Sequence, residues 1–399
     1  MSEATEEWTG SLALVLGSST GGVGRHVASL VRNLVPSGVT VTVCGPGATD
    51  EQFGFTAAGA RFVPVEIPPN PRLTDLRAVA ALRKVLAGRI DVVHAHGLRA
   101  GLVATLARPT QPLVVTQHNA ILADGMRGRL SHLAERIVAR GARVVLGASG
   151  DLVARARALG AVDARLVPVA APPLPPPRRT PTAVRAELGV APDQPLILSV
   201  GRLHPQKRYD VLIDAAAALR DLRPRPVVVI AGAGPMYTRL AGRISATRAP
   251  VLLVGHRTDV ADLLAAADLA VVTSDWEARQ LFAQEAMRAG VPLVTTAVGG
   301  LPELVGDAAV LVPPGDAVAV ADALRGLLTD PERRAEYGRR GRAHAETWPT
   351  EADTVASVRA IYGELTGQAR AARARAARSV TATGTPVRPV AGGDVAERG

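Results

Sequence analysis

The chain is short of sulfur and of rings. It holds one cysteine, Cys44, and 3% aromatic residues in 399. A lone cysteine excludes an intrachain disulfide, and Cys44, at the end of an apolar run, reads as a buried thiol in a reducing cytosol. So few aromatics argue against an aromatic-rich sandwich. Nowhere do about 18 apolar residues run on without a charge, so no membrane-spanning helix is expected. Residues 1–9 are acidic and the apolar run 12–16 is too short for a signal core, so no secretory leader is expected. Zinc-finger spacing, an aromatic RNA-binding motif and a strong helix-turn-helix signal are all missing, and nucleic acid is not an expected partner. No Tyr-x-x-x-Lys occurs, which removes the usual site of a short-chain reductase.

What is present is aliphatic and basic. The apolar fraction is 47% and the formal net charge is +10, to which the tail 367–399 contributes six arginines against Asp394 and Glu397. A basic body suits a polyphosphate ligand or an anionic membrane surface. Short aliphatic runs at 12–16, 39–44, 62–67, 92–94, 113–117, 143–146 and 166–169 alternate with helical patterns. Continuous Val/Leu runs between helices read as buried parallel strands of βαβ units. The segment 170–181 is dense in proline and reads as a stiff, extended linker. The alternation then restarts at 196–200, 227–231, 251–254, 269–272, 292–295 and 309–312. The expected class is therefore α/β, with two Rossmann-like doubly wound parallel-sheet domains facing across a cleft. We place them at 10–172 and 182–345, with the linker at 173–181, a final helix within 346–366, and a basic disordered tail over 367–399, whose segment 369–378 could instead form helix against a surface. Ligands of such sheets bind at the C-terminal strand edges.

The chemistry-bearing residues fall at those edges. Gly17, Gly21, Gly22 and Gly24 follow the first run and precede a helix, where backbone can approach a phosphate or sugar. The loop is neither a P-loop nor a GxGxxG fingerprint. His94 and His96 end the fourth run, and His118 with Asn119 follows the fifth. Alternation gives His94 and His96 the same facing, so one of them can be buried; His118 is the preferred functional histidine. No third ligand is spaced convincingly beside the His94/His96 pair, and no metal is expected. In the second half, Arg202 and Lys207 follow a strand and suit a diphosphate, Arg as a fork and Lys as a point charge. Gly232 and the pair His256 and Arg257 close two further strand ends, where backbone could meet a base and ribose. From Ser274 to Gly290, Glu277 stands in a loop and Glu285 in the first turns of a helix. Two carboxylates at a helix start can hold two polyols on either side of a diphosphate.

In order along the chain, Gly21-Gly22, His118, Gly201-Arg202 with Lys207, Gly232 with Gly234-Pro235, Glu277 with Glu285, and Gly299-Gly300 with Glu303 resemble the motif set of the retaining, nucleotide-sugar-dependent glycosyltransferases of family 4, which have the GT-B architecture. The resemblance spans about 12–365. It implies a retaining glycosyltransferase with a nucleoside diphosphate sugar as donor and no cofactor. Arg202 and Lys207 would bind the diphosphate, Glu285 the ribose and Glu277 a sugar hydroxyl. Backbone N–H groups of Ala278, Arg279, Gln280 and Leu281 would lie near the sugar, and backbone at His256 and Arg257 near the base. His118, Arg202, Lys207 and Glu277 are the expected catalytic residues; Gly21, Gly22, His96 and His118 would face an acceptor that the sequence does not identify. Helix residues near 348–362 would cross back to the first domain. Where the family often has Gly-Phe-Gly after the first Glu, this chain has Ala278-Arg279-Gln280, whose side chains could read the sugar differently or reach an anionic substrate. Bacterial relatives build cell-envelope glycans, glycolipids or small glycosides, so a cytoplasmic enzyme with peripheral contact to an anionic membrane is expected. A nucleotide-sugar epimerase of the same build and a non-catalytic sugar-nucleotide-binding protein remain as alternatives, and a Rossmann oxidoreductase is the least favoured.

Overall fold

The structure, a computed structural model, describes residues 7–19, 21–69, 75–121 and 125–382, with backbone only for 127 and 368–382. Two parallel sheets form. In the first, β1 (Ser11–Leu16), β2 (Thr40–Gly45), β3 (Arg61–Pro64), β4 (Val92–His96), β5 (Leu113–Gln117), β6 (Val144–Gly147) and β7 (Ala164–Leu166) stand in the order β3-β2-β1-β4-β5-β6-β7. In the second, β8 (Leu196–Val200), β9 (Val227–Ala231), β10 (Val251–Leu253), β11 (Leu269–Val272), β12 (Leu293–Thr296) and β13 (Val310–Val312) stand in the order β10-β9-β8-β11-β12-β13. Both orders reverse direction beside their first strand, between β1 and β4 and between β8 and β11. Ligands of open α/β sheets bind in the crevice at that reversal.

The strands are apolar throughout because both faces are covered. Leu12, Leu14 and Leu16 enter one core of the first sheet, while Ala13 and Val15 enter the other. Leu196 and Leu198 likewise oppose Ile197 in the second sheet. At about 25 cal/mol per Å² of apolar surface removed from water, these four layers supply most of the drive to fold. The seventh strand stops at Leu166, short of the expected 169, because Pro168 has no N–H to donate; the N–H of Val167 is the last to bond Gly147.

The linker is docked on the second domain. Asp262 Oδ1 accepts from the N–H of Arg178 (2.6 Å) and of Arg179 (3.2 Å), and the hydroxyl of Thr180 caps the helix Pro181–Glu187. After the helix Pro331–Ala345, Trp348 still packs in the second domain, whereas Val355, Val358, Ile361, Tyr362 and Leu365 pack in the first. The chain therefore recrosses between 348 and 355. The last helix, Glu351–Ala382, runs past the expected limit at 366. Of the two readings of the tail, disorder from 367 and helix over 369–378, the backbone takes the helical one as far as 382, because alanine and arginine are strong helix formers. Residues 383–399 of the expected tail lie outside the described residues. Among the described residues no helix is long and apolar enough to cross a membrane.

Candidate functional site

On the second domain the loop after β8 is stitched to the loop after β11. Gln206 Nε2 donates to the Trp276 carbonyl (2.6 Å), the N–H of Asp275 donates to the Gln206 carbonyl (2.8 Å), and Thr273 Oγ1 donates to the Lys207 carbonyl (3.0 Å). Lys207 Nζ therefore arrives 2.5 Å from Glu277 Oε1, which Ser274 Oγ also meets at 2.6 Å. The Arg202 side chain is exposed and makes no hydrogen bond or ion pair among the described residues. Glu285 sits inside the helix Leu281–Ala289, buried, and burial raises its carboxyl above the usual range, with Arg25 and Arg288 pulling the other way.

The glycines around this loop have packing reasons. A Cβ on Gly299 would come 2.1 Å from the Glu277 carbonyl, and one on Gly300 would come 2.4 Å from the Ala278 carbonyl. The N–H of Gly300 donates to the Glu277 carbonyl (2.8 Å), so this glycine pair is the floor under Glu277. A Cβ on Gly232 would stand 1.9 Å from the Gly201 carbonyl. Its smallness is thus demanded by neighbouring backbone. His256 is exposed, and the Arg257 side chain is held by Asp259 and Glu187, each at 2.6 Å, which leaves backbone as the part of this loop open to a base.

The three residues that replace Gly-Phe-Gly do not present their side chains as a sugar reader. Ala278 packs in a small apolar cluster with Trp276, Ala148, Leu152 and Val169. Gln280 Oε1 accepts from the N–H of Ala283 (2.5 Å) and so caps the helix. The Arg279 guanidinium lies over the Trp348 ring at 5.9 Å, and its Nε and Nη2 are buried without a partner among the described residues. This corrects the expectation that these side chains reach the substrate. Meanwhile the backbone N–H groups of 278–281 donate to no acceptor among the described residues. They converge at the start of the helix, where an anion is favoured.

On the first domain the edge is built of imidazoles. Leu16 pairs with His96 in the register of β1 and β4, which sets the glycine loop beside the histidines. Both His94 and His96 are buried. His94 bonds Tyr362 Oη and Thr116 Oγ1, each at 2.6 Å, so both its nitrogens are used and it is a structural residue. His96 Nδ1 lies 3.3 Å from His118 Nε2, and His96 Nε2 has no partner among the described residues. His26, which no strand-end spacing marks, is brought to the same place by the helix Gly22–Leu34. Nitrogens of His26, His96 and His118 lie within 4.8 Å of one another, the group among the described residues whose donors could converge on a metal ion. The expectation of no third ligand is corrected on that point: the third imidazole comes from a helix distant in sequence from both strand ends. Burial holds all four rings neutral, lowering His26 to about 4 and His94 to about 3, and His96 and His118 well below the ordinary value.

The two edges touch. A Cβ on Gly22 would meet Leu281 Cδ1 at 3.7 Å, while Gly21 has open space. Trp276 Nε1 donates to Asp151 Oδ2 (2.8 Å) and the N–H of Gly150 donates to Glu303 Oε2 (3.0 Å). Behind them Gln284 Oε1 accepts from the N–H of Ala171 (2.9 Å). A narrow pocket between the domains is lined by Gly22, Arg25, His26, Leu281 and Glu351. Arg25, His26, Trp276 and the 149–151 turn escaped the sequence reading, since only the fold brings them to the cleft.

Comparison with known proteins follows this geometry. Residues 21–172 match the family described as glycosyl transferase 4-like domain, and residues 182–344 match glycosyl transferases group 1. The chain is 36% identical over 331 residues to D-inositol 3-phosphate glycosyltransferase of Geodermatophilus obscurus, covering 76% of this chain and 71% of that protein. It is 33% identical over 323 residues to the protein of the same name from Mycobacterium tuberculosis, covering 72% of this chain and 64% of that one. Among solved structures, HepE of Anabaena in complex with UDP and glucose superposes with a TM-score of 0.75 at 22% identity, covering 89% of this chain and 100% of that one. Sucrose-phosphate synthase of Thermosynechococcus elongatus gives a TM-score of 0.74 at 21% identity, covering 90% and 100%. These two likenesses are of fold.

Proposed function

The chain belongs to the group 1 glycosyl transferases and is a glycosyltransferase of GT-B type, and from that premise we propose that it moves a sugar from a nucleoside diphosphate sugar to an acceptor with retention of configuration. One observation carries the reading. Lys207 meets Glu277 in the loop before a helix, and the N–H groups of 278–281 that lead into that helix are unpaired among the described residues; Glu285 lies inside the helix, and exposed Arg202 shares the loop of Lys207. That is a positive cradle for a diphosphate flanked by two carboxylates for its two polyols.

In the proposed reaction the bond from the anomeric carbon to the diphosphate breaks as the acceptor oxygen attacks from the same face. The leaving phosphate oxygen takes the acceptor's proton. Negative charge grows on the diphosphate, where Arg202, Lys207 and the helix start oppose it; such preorganised electrostatics are usually the largest catalytic contribution. Lys207 is held by Glu277 before donor arrives, so the donor exchanges one anionic partner of the lysine for another. Glu277, fixed by Ser274, then receives a sugar hydroxyl. Neutral His118 and His96, with Gly21 and Gly22, form the acceptor side, where an imidazole can accept or donate a hydrogen bond without adding charge. No protein nucleophile and no metal are assigned in this scheme. The relatives' name makes a phosphorylated polyol the first acceptor class to try.

Ligand-observed NMR with UDP-, GDP-, ADP- and dTDP-sugars, on wild type and Glu285→Ala, tests the donor site. Saturable binding of one donor, weakened at least about tenfold by loss of a hydrogen-bonded carboxylate, is expected. A folded wild type that binds none of them sinks the proposal and favours the non-catalytic alternative.

A further inference from the structure

The helix Gly125–Gly141, which follows His118 in the chain, carries an apolar stripe left exposed among the described residues. Met126, Leu130, Leu133 and Ile137 are 70%, 60%, 54% and 38% exposed. At 100° per residue they fall within about 60° of one another, along about 16 Å of helix. Exposed Arg129, Arg136 and Arg140 occupy the next sector, roughly 20–60° beyond the stripe edge. None of the three is ion-paired among the described residues. The one acid of the helix, Glu135, is turned inward and bound by Arg155. Val138 and Ala139, on the opposite side, are buried and fix which face looks outward. An apolar stripe bordered by an unopposed arginine row is the pattern of a helix lying in a membrane interface.

We propose that this face seats the protein on an anionic lipid bilayer. The stripe enters the headgroup boundary and the arginines meet lipid phosphates. The occupant is argued from charge: three cations and no exposed acid complement an anionic surface. The chain's own tail, with six arginines and two acids over 367–399, carries the same sign and does not suit the role. The inference stands apart from the donor reading, since vesicle binding needs neither donor nor acceptor.

The test is co-flotation of the full chain with phosphatidylglycerol/phosphatidylcholine vesicles and with phosphatidylcholine alone, at low and physiological salt. Wild type is expected to float with the anionic vesicles and to lose binding as salt rises. Leu130→Asp with Leu133→Asp, and separately Arg129→Glu with Arg136→Glu and Arg140→Glu, should each weaken binding at least about tenfold, given roughly fivefold per basic residue at such a surface. Val318→Asp, on an exposed residue of the second domain, should bind as wild type. Unchanged thermal unfolding and donor binding of the variants separate loss of this surface from loss of the fold or of the donor site. Absence of flotation by wild type overturns the proposal. So does equal flotation of the stripe variants, which would move the contact elsewhere. So does a dimer in sedimentation velocity that the Asp substitutions dissociate without any lipid effect, which would make a second copy the occupant.

Discussion

The two domains share one strand order up to the sixth strand but arm their facing edges with opposite chemistry. The second-domain edge is charged: Lys207 against Glu277, with Arg202 exposed beside them. The first-domain edge is polar and, apart from Arg25 on the helix Gly22–Leu34, neutral: four histidines that burial keeps from protonating. A diphosphate needs full charge opposite it, and the loops of the second domain leave Lys207 partly exposed and Arg202 exposed to meet it. A neutral acceptor hydroxyl needs only hydrogen-bonding groups, and imidazoles under a helix supply them at little desolvation cost. The shared fold supplies two crevices, and what each can hold is decided by a few loop residues.

The sharpest break of this comparison is at Lys207. Lys207→Ala removes the point charge and leaves Glu277 with Ser274 alone, so kcat/KM should fall about 10²–10³-fold. His118→Ala should lower turnover while changing donor affinity little. Steady-state kinetics with donor titrations of both variants checks this. Equal losses of donor affinity would mean that the charged and neutral edges do not divide the substrates.

Acid should separate the domains next. Folded-state values of His26 and His94 lie near 4 and 3, below the unfolded value of about 6.5. Protons therefore bind the unfolded chain more tightly, and the first domain keeps its full histidine contribution above about pH 6.5. That contribution is lost as pH falls from there toward 4, at up to about 1.4 kcal/mol per pH unit for each buried histidine. Glu285 in the second domain has the opposite sign: its raised value means stability is lost as pH rises through it, and acid restores it. His204 is also held low there, but by slight burial beside Arg202 and Lys207. Trp8 packs on Tyr362 in the first domain and Trp348 lies in the second. Variants keeping one of these tryptophans should show the Trp8 transition at the higher pH. Coincident transitions would show the domains unfolding as one unit.

The two edges also differed in how far they could be read from sequence. The thirteen strand runs were legible because a strand covered on both faces must be apolar; only the third and the seventh ran three residues too far, past Pro64 and past Leu166. The Arg202, Lys207, Glu277 and Glu285 set was legible because each follows a strand or opens a helix, so local position puts it at the edge. The imidazole cluster was half legible. His96 and His118 end strands, whereas His26 looks like any helix residue until the helix is laid on the sheet. Trp276 bonding Asp151 and Glu303 meeting Gly150 are contacts between domains, which no local pattern encodes. The Ala278-Arg279-Gln280 side chains were misread for the same reason: their directions depend on Trp348 and on the cap.

A smaller effect is expected at the floor of the charged edge. Gly300→Ala would put a Cβ 2.4 Å from the Ala278 carbonyl and 2.6 Å from Ser149 Cβ of the first domain. Both neighbours are held, so the 276–278 loop must shift, at a cost of about 1–3 kcal/mol. Denaturant unfolding and kcat/KM should fall together. A stable variant with wild-type activity would show that the loop has room and that the domain contact at Ser149 is dispensable.

The smallest effect should come from Arg279, where the charged edge departs from its family. Its Nε and Nη2 are buried without partners, burial lowers its pKa, and Arg288 crowds it over the same Trp348 ring. Glu303 is the carboxylate that opposes this, and it is engaged with Gly150. Replacing the guanidinium with a ring removes two unsatisfied donors and one of two like charges, while keeping contact with Trp348. Arg279→Phe should therefore stabilise the second domain by about 1–2 kcal/mol and leave donor affinity within about twofold, because the side chain faces Trp348 while the backbone faces the donor cradle. If the variant is instead no more stable and loses donor affinity tenfold or more, the guanidinium must leave Trp348 when donor binds. A buried, unpartnered arginine that turns to the substrate would require an anionic sugar, and the charged edge would then read the sugar as well as the diphosphate.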